Sequence, residues 1–232
     1  MPIERVGDFL VTETLGITPS VGIESSRITE CIAEAKAKYS GIFGSPSFDF
    51  REDNLDFLKE LPEIKQLWFW DCKLASIDGI YHLKDLEYCG VMDQRPGIDF
   101  SKFPRLKQVV AHWNPKDSGF AKSKINNFSL WHFNPRTKTF DGLVFPPRTT
   151  QLELTWLNPQ SLEGLAPLPK LRELGIHRAR NMTDLSLLPK FAPNLKRLII
   201  TGAKKVTDFT GIENHPMIEL AIVDGHRVRD SK

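Results

Sequence analysis

Two histidines and an aspartate have side chains that could bind a metal ion or take part in acid–base chemistry. His112 and His132, together with Asp93, could offer nitrogen and oxygen ligands to an ion such as zinc. They are far apart in the chain, and none belongs to the short-spaced ligand pairs of metal-binding motifs. We therefore interpret them as surface side chains and predict no metal and no other cofactor.

The cysteines do not indicate chemistry either. Cys31, Cys72 and Cys89 are odd in number and widely spaced, unlike a disulfide framework or paired zinc ligands. Their apolar surroundings predict that all three thiols are buried and inert, in a protein of a reducing compartment. The sequence also contains no glycine-rich phosphate loop, nucleophile elbow or pair of catalytic carboxylates, so we predict that the protein is not an enzyme.

Apolar residues recur with a regular period along most of the chain. Two apolar residues separated by one position, first seen at Leu67/Phe69, return at intervals averaging about 22 residues. Because side chains in a strand alternate between two faces, each pair predicts a short strand with one inward face. The further pairs are Cys89/Val91, Val109/Ala111, Phe128/Leu130, Leu152/Leu154, Leu174/Ile176, Leu198/Ile200 and Leu220/Ile222.

A second feature follows many of these pairs. In residues 76–83 and 161–168, apolar residues recur every three positions, a spacing that is typical of a 3-10 turn. One strand and one turn per repeat predict a solenoid, with a parallel sheet on one side and short helical turns on the other.

This repeat resembles that of the leucine-rich repeat family, whose pattern L-x-x-L-x-L-x-x-N/C-x-L is matched by Ile64, Leu67, Phe69, Cys72 and Leu74. It is most similar to the short bacterial, internalin-like repeats, because Thr-Asp-Leu and Thr-Asp-Phe turns occur at 183–185 and 207–209. The resemblance implies an α/β leucine-rich repeat solenoid with a curved, concave parallel β-sheet and convex 3-10 turns. Most repeats lack Asn or Cys at the matching position, so no continuous asparagine ladder is expected.

The repeats are expected to cover residues 48–224, with Phe48 and Phe50 in a first, irregular strand. Residues 1–47 are expected to form an N-terminal cap, because the end of a solenoid exposes apolar side chains. Helical spacing of apolar residues from Ser26 to Tyr39 predicts one helix there, with a serine as its N-cap. Residues 225–232 are expected to form a short C-terminal tail.

The same alternation predicts the solvent-facing surface of the sheet. All five tryptophans fall at outward positions within or just after the predicted strands, as do three of the six histidines. Large aromatic side chains with a charged rim are typical of protein-binding hot spots. The candidate protein-binding residues are Trp68, Trp70, Asp71, Tyr88, Asp93, His112, Trp113, Trp131, His132, Glu153, Trp156, His177 and Arg178.

Two alternatives concern the packing of these tryptophans. Some of them, above all Trp113 and Trp156, could brace the Asn-Pro turns after their strands instead of binding a partner. A shift of register by one residue would turn the tryptophans inward, but it would also expose leucines such as Leu152 and Leu174 and lose their burial. We keep the register that places the leucines inward.

The charge distribution argues against nucleic acid and membranes as partners. The formal net charge is only +2, although residues 1–100 carry −8 and residues 101–200 carry +10. The lysines of the basic segment fall mostly in the predicted convex turns, where charge serves solubility. The sequence shows no signal peptide and no apolar run of transmembrane length, so a soluble, cytoplasmic protein is expected.

These features favour a protein that acts by binding. We predict a monomeric module that holds a folded protein on its aromatic face, most simply an inhibitor or immunity protein that occludes a partner such as a toxin or nuclease domain. The inhibitor interpretation is an analogy with leucine-rich repeat inhibitors. The alternatives are a carbohydrate or cell-surface recognition protein, whose tryptophans stack on sugar rings, and a scaffold that recruits an enzyme without inhibiting it.

Overall fold

The computed structural model describes residues 3–92 and 94–230, which belong to two units, Met1–Lys124 and Ile125–Lys232. Both units repeat one motif, a short strand followed by a turn that in most repeats carries a short helical segment. Strands that follow each other along the chain of a unit also lie side by side in its sheet. The architecture is therefore solenoid-like, mostly parallel and poor in helix, as the repeat predicts.

In the described part of the first unit, seven strands follow each other in chain order. They are β1 (Glu4–Val6), β2 (Phe9–Thr12), β3 (Ser20–Gly22), β4 (Gly41–Gly44), β5 (Gln66–Phe69), β6 (Tyr88–Val91) and β7 (Gln108–His112). The first three strands pair antiparallel, and the pairs from β3 to β7 are parallel. Helix α1 (Ile28–Lys38) connects β3 to β4, and 3-10 segments occupy Ser25–Arg27, Pro46–Phe48, Asp56–Glu60, Asp78–His82, Phe100–Lys102 and Phe120–Lys122.

The second unit continues the same scheme. Its strands are β8 (Asn127–Trp131), β9 (Gln151–Thr155), β10 (Glu173–His177), β11 (Arg197–Thr201), β12 (Leu220–Val223) and β13 (His226–Asp230), and its short helices are α2 (Leu188–Phe191) and α3 (Thr210–Glu213). Strands β8 to β12 are parallel, whereas β13 pairs antiparallel with β12. None of the helices in the described residues has the length and apolar character needed to span a bilayer.

The inward pairs build the cores of the two units. In the seven predicted pairs from Leu67/Phe69 to Leu198/Ile200, every side chain is at most 2% exposed. Strand pairing keeps equivalent residues in line, so that Leu174 lies between Leu152 and Leu198. Such ladders remove apolar area from water at about 25 cal/mol per Å², which makes them a main stabilising contribution. The predicted register is confirmed for these strands.

The prediction for the last pair is wrong by one residue. In β12, Ala221 and Val223 are buried, while Leu220 and Ile222 are partly exposed. Ala221 lies beside Leu198 in the neighbouring strand, so pairing with β11 sets the register and overrides the larger side chains. The segment predicted as a tail contains β13, which covers the otherwise free edge of β12.

The N-terminal cap contains the predicted helix, but the helix begins differently. It starts at Ile28, and Arg27 rather than a serine occupies its N-cap without a side-chain hydrogen bond. Its buried face consists of Cys31, Ile32 and Ala35, as the helical spacing predicts.

The predicted strand at Phe48 and Phe50 is wrong, and the parallel strands begin earlier. Phe48 ends a 3-10 segment, and Phe50 lies outside the strands. The first parallel pair is β3 with β4, and the apolar pattern misses β4 because Gly44 stands at the inward position that Phe69 takes in the next strand. At Gly44 a Cβ would lie 2.4 Å from the Phe69 ring, so only glycine allows β4 and β5 to approach this closely.

A buried glutamine joins the cap to the repeats. Gln66, at the start of β5, is fully buried. Its Oε1 accepts hydrogen bonds from the N–H groups of Ile17 and Thr18, at 2.5 and 3.2 Å. Its Nε2 donates to the Leu15 carbonyl at 3.0 Å and to Ser20 Oγ at 2.7 Å. Because its amide is fully hydrogen-bonded, this polar side chain orders residues 15–20 without an unpaired buried group.

The burial of the three cysteines is confirmed. Cys31, Cys72 and Cys89 are free thiols inside the first unit. Burial raises the pKa of the Cys72 thiol and that of the Cys89 thiol to about 12. The nucleophilic thiolate form of these residues is therefore scarce at neutral pH.

Candidate binding surface on the outward face of the sheet

A left-handed backbone position follows several strands. The angle φ is +62° at His132, +56° at Trp156 and +56° at Arg178, and Gly202 takes the equivalent position after β11 with +68°. Asp71 has the same conformation after β5. For residues with a Cβ this conformation costs about 1–2 kcal/mol. In the second unit, His132, Trp156, Arg178 and Gly202 therefore form a row of turn residues at the carboxyl ends of β8 to β11.

In the second unit this row forms a stack of side chains. The imidazole of His132 lies nearly parallel to the indole of Trp156, with ring centres 4.7 Å apart and an interplanar angle of 10°. Arg178 Cζ lies 4.8 Å from the Trp156 ring centre. Because β8, β9 and β10 are successive strands, His132 and Arg178 approach the indole from opposite sides. We call these three side chains the aromatic stack.

A second tryptophan packs against the edge of the aromatic stack. The ring centres of Trp131 and Trp156 are 5.3 Å apart, and their planes meet at 73°. Trp131 Nε1 also donates a hydrogen bond to Ser129 Oγ, at 3.1 Å. Edge-to-face aromatic pairs contribute about 0.5–1.5 kcal/mol beyond their burial. Both indoles are half-buried, so they keep a solvent-facing surface in a fixed orientation.

A hydrogen-bonded chain of side chains crosses the same face. His177 Nε2 lies 2.7 Å from Glu153 Oε2, and His177 Nδ1 lies 2.9 Å from Thr201 Oγ1. A Cβ at Gly175 would come within 1.9 Å of a Glu153 oxygen, so glycine is what lets the carboxylate lie across β10. The order carboxylate, imidazole, hydroxyl can activate a hydroxyl group. Here the side chain of Glu153 is 48% exposed and that of His177 is 30% exposed, and water weakens such electrostatic activation. These hydrogen-bonded side chains are therefore better suited to form an oriented polar rim of the surface.

In the first unit, Trp70 belongs to a cluster of three aromatic rings. It stacks on Phe43 with ring centres 6.0 Å apart and an angle of 23°. Phe48 meets it edge-on at 5.9 Å and 69°. Phe43 is fully buried, whereas Trp70 and Phe48 are partly exposed. The cluster therefore supports Trp70 from below and from one side.

Trp68 lies over the neighbouring strand β6. Its indole stacks on Tyr88, with ring centres 5.6 Å apart and an angle of 20°. A Cβ at Gly90 would lie 2.6 Å from the indole, so this glycine creates the space that Trp68 fills. Tyr88 itself is 3% exposed, and burial raises the pKa of its hydroxyl. Among the predicted contact residues, Tyr88 thus supports Trp68 and does not form the surface itself.

The other predicted residues are distributed over the first unit. Asp71 is exposed after β5, and His112 and Trp113 are half-buried at the end of β7. Asp93 lies outside the described residues. Within the described residues, no group of histidine, cysteine, aspartate and glutamate side chains is placed to hold a metal ion.

The structure brings together four of the predicted residues of the second unit, Trp131, His132, Trp156 and Arg178, and separately pairs two others, Glu153 and His177. The predicted binding residues do not include the polar partners Ser129 and Thr201. Their outward positions in β8 and β11 follow from the alternation of the repeat, so the same register could have found them.

The chain matches no protein-family model and no curated protein in sequence comparisons.

Proposed function

We propose that this chain is a leucine-rich repeat protein that binds a folded protein through the outward face of its sheet, with Trp131 and Trp156 as anchors. The support comes from the aromatic stack, which fixes large aromatic side chains on an exposed face before a partner binds. Immobilising a flexible side chain on binding costs about 0.5–1.5 kcal/mol. A stack that is already ordered avoids much of this cost.

The geometry of the stack favours a protein over a carbohydrate as the partner. A sugar ring binds by lying on an open aromatic face. On Trp156, His132 covers one face and Arg178 the other. The indole edge and the guanidinium remain for contact, and this combination suits the mixed apolar and polar surface of a protein.

The proposed mode of action is occlusion without catalysis. The chain would bind its partner stoichiometrically and cover its working surface, as an inhibitor or immunity protein covers a toxin or nuclease domain. An ordered sheet can do this without rearranging itself. A scaffold would use the same anchors, so the two modes differ in the activity of the bound partner.

Affinity capture from the lysate of the source cell tests the proposal. The baits are the wild type, Trp131→Ala/Trp156→Ala, and a control, Val144→Ala/Met217→Ala, which removes apolar side chains that are 54% and 43% exposed outside the stack. We expect one protein to be retained in equimolar amount by the wild type and the control and to be lost from the tryptophan variant. Circular dichroism of all baits establishes that they are folded.

The purified complex then separates the two modes of action. Loss of the partner's activity in the complex indicates inhibition, and unchanged activity indicates a scaffold. A partner retained equally by all three baits would contradict the proposed surface. Binding to a glycan array that disappears with Trp131→Ala/Trp156→Ala would replace the protein partner with a carbohydrate.

A further inference from the structure

Four basic side chains lie along the same edge of the second unit as the aromatic stack. Arg178 and Arg180 belong to the turn after β10, and Lys204 and Lys205 belong to the turn after β11. The register of β10 and β11 places Arg180 and Lys204 at equivalent positions of consecutive turns. All four side chains are exposed. We call them the basic ridge.

The basic ridge is not neutralised by carboxylates of the described chain, in which none of its four residues forms an ion pair. The aspartates of the same turns are engaged locally. Asp184 and Asp208 accept hydrogen bonds from backbone N–H groups two residues further on, at 2.7 and 2.8 Å. Asp224, in the turn after β12, accepts a hydrogen bond from the N–H of Gly202. The ridge therefore presents positive charge to the solvent.

Arg178 connects the basic ridge with the aromatic stack. Its guanidinium lies over the Trp156 ring, 4.8 Å from the ring centre. In the described structure no oxygen accepts a hydrogen bond from this guanidinium, and only the backbone N–H of Arg178 is bonded, to the Thr201 carbonyl at 2.6 Å. A stacked guanidinium keeps its N–H groups available at the edge of its plane, the geometry that matches a carboxylate with two parallel hydrogen bonds.

We propose that the basic ridge binds carboxylates on an acidic surface of the protein partner, and that Arg178 positions one of them. This inference rests on the proposed function and adds the chemistry of the partner: an acidic patch beside an apolar one. Opposite charges across an interface steer association and fix its orientation.

The same observations disfavour a nucleic acid on this ridge. Single-stranded nucleic acids bind by stacking bases on open aromatic faces. The two faces of Trp156 are covered by His132 and Arg178. Four charges on a chain with a net charge of +2 also provide few phosphate contacts.

Titration with two polyanions tests this inference on the full chain. Poly-L-glutamate and oligothymidylate of equal charge are added in about 20 mM salt, where screening is weak. Tryptophan fluorescence and calorimetry report binding. The ridge variants are Arg178→Gln and Lys204→Gln/Lys205→Gln. The control, Lys170→Gln/Lys190→Gln, removes two exposed lysines outside the ridge and changes the net charge by the same amount as Lys204→Gln/Lys205→Gln.

We expect poly-L-glutamate to bind the wild type and the control alike and to bind each ridge variant about tenfold more weakly. Absence of binding to the wild type, or equal binding to ridge and control variants, would overturn the inference. Tighter binding of oligothymidylate than of poly-L-glutamate would overturn it in favour of a nucleic-acid site.

The failure of this inference can be distinguished from the failure of the proposed function. If the protein captured from lysate is lost with Trp131→Ala/Trp156→Ala but is retained by both ridge variants, the protein-binding surface stands and the role of the ridge is rejected.

Discussion

Arg95 and Asp117 form a buried ion pair with two parallel hydrogen bonds in the first unit. Arg95 Nη1 and Nη2 lie 2.7 and 2.8 Å from the two carboxylate oxygens of Asp117, and the side chains are 1% and 4% exposed. Asp117 also accepts from the N–H of Ile98 at 2.9 Å, and Arg95 Nε donates to the Met92 carbonyl at 2.9 Å. The pair thus joins the turns after β6 and β7.

We expect Asp117→Ala to lower the free energy of unfolding by about 3–5 kcal/mol, because it leaves the Arg95 charge buried without its partner. The variant Arg95→Met/Asp117→Leu removes both charges and is expected to lose less than Asp117→Ala alone. Urea titrations of the wild type and both variants measure these differences. If the single substitution cost no more than the double one, the pair would not act as a coupled unit.

Much of the strand arrangement could be predicted from the sequence, because large apolar side chains such as Leu174 must be buried at every repeat. Two features of the strand arrangement could not be predicted from the sequence, for physical reasons. Strand β4 pairs closely through Gly44, which contributes no apolar side chain to the pattern, and β12 buries the small Ala221 because β11 sets its register. The contacts of Trp156 could not be predicted either, because they depend on a left-handed backbone conformation that a tryptophan does not indicate.

The left-handed conformation of Trp156 leads to an unusual order of stability. Alanine is normally more stable than glycine in regular structure, by about 0.5–1 kcal/mol. At φ of +56° the order should reverse, because glycine adopts this region without strain. We therefore expect the free energy of unfolding of Trp156→Gly to exceed that of Trp156→Ala by about 1 kcal/mol. Both variants lose the stacking contacts, so the difference isolates the backbone.

Thr155, the preceding residue in β9, is the matched control for this comparison. It is in a strand, so Thr155→Ala is expected to be more stable than Thr155→Gly. Denaturant titrations of the four variants give both differences. The same order at both positions would show that Trp156 does not hold a strained backbone.

The register of β12 can be tested by placing a charge on either face. Ala221 is fully buried beside Leu198, whereas Ile222 is partly exposed on the opposite face. We expect Ala221→Arg to lower the free energy of unfolding by at least about 3 kcal/mol, because it buries an unpaired charge. Ile222→Arg is expected to cost about 1 kcal/mol or less. Thermal unfolding compares the two, and a greater loss at Ile222 would support the register that the apolar pattern predicts.

His215 is a fully buried histidine that is held in its neutral form. Its Nε2 lies 3.0 Å from the Ala192 carbonyl, and its Nδ1 accepts a hydrogen bond from the N–H of Met217 at 3.2 Å. One ring nitrogen therefore donates and the other accepts, which only the neutral ring can do. Burial lowers the pKa of His215, and the nearby positive charge of Arg229 lowers it further.

This lowered pKa makes stability depend on pH in a defined direction. The unfolded chain takes up a proton on His215 near pH 6.5, whereas the folded chain takes it up only at lower pH. The contribution of His215 to the free energy of unfolding should therefore be constant above about pH 7 and should fall as the pH decreases through about 6.5 towards the folded pKa. We expect His215→Gln to have a smaller fall in this range than the wild type, and the exposed control His226→Gln to follow the wild type. Urea titrations at a series of pH values measure the three curves, and identical slopes for the wild type and His215→Gln would exclude His215 as the titrating group.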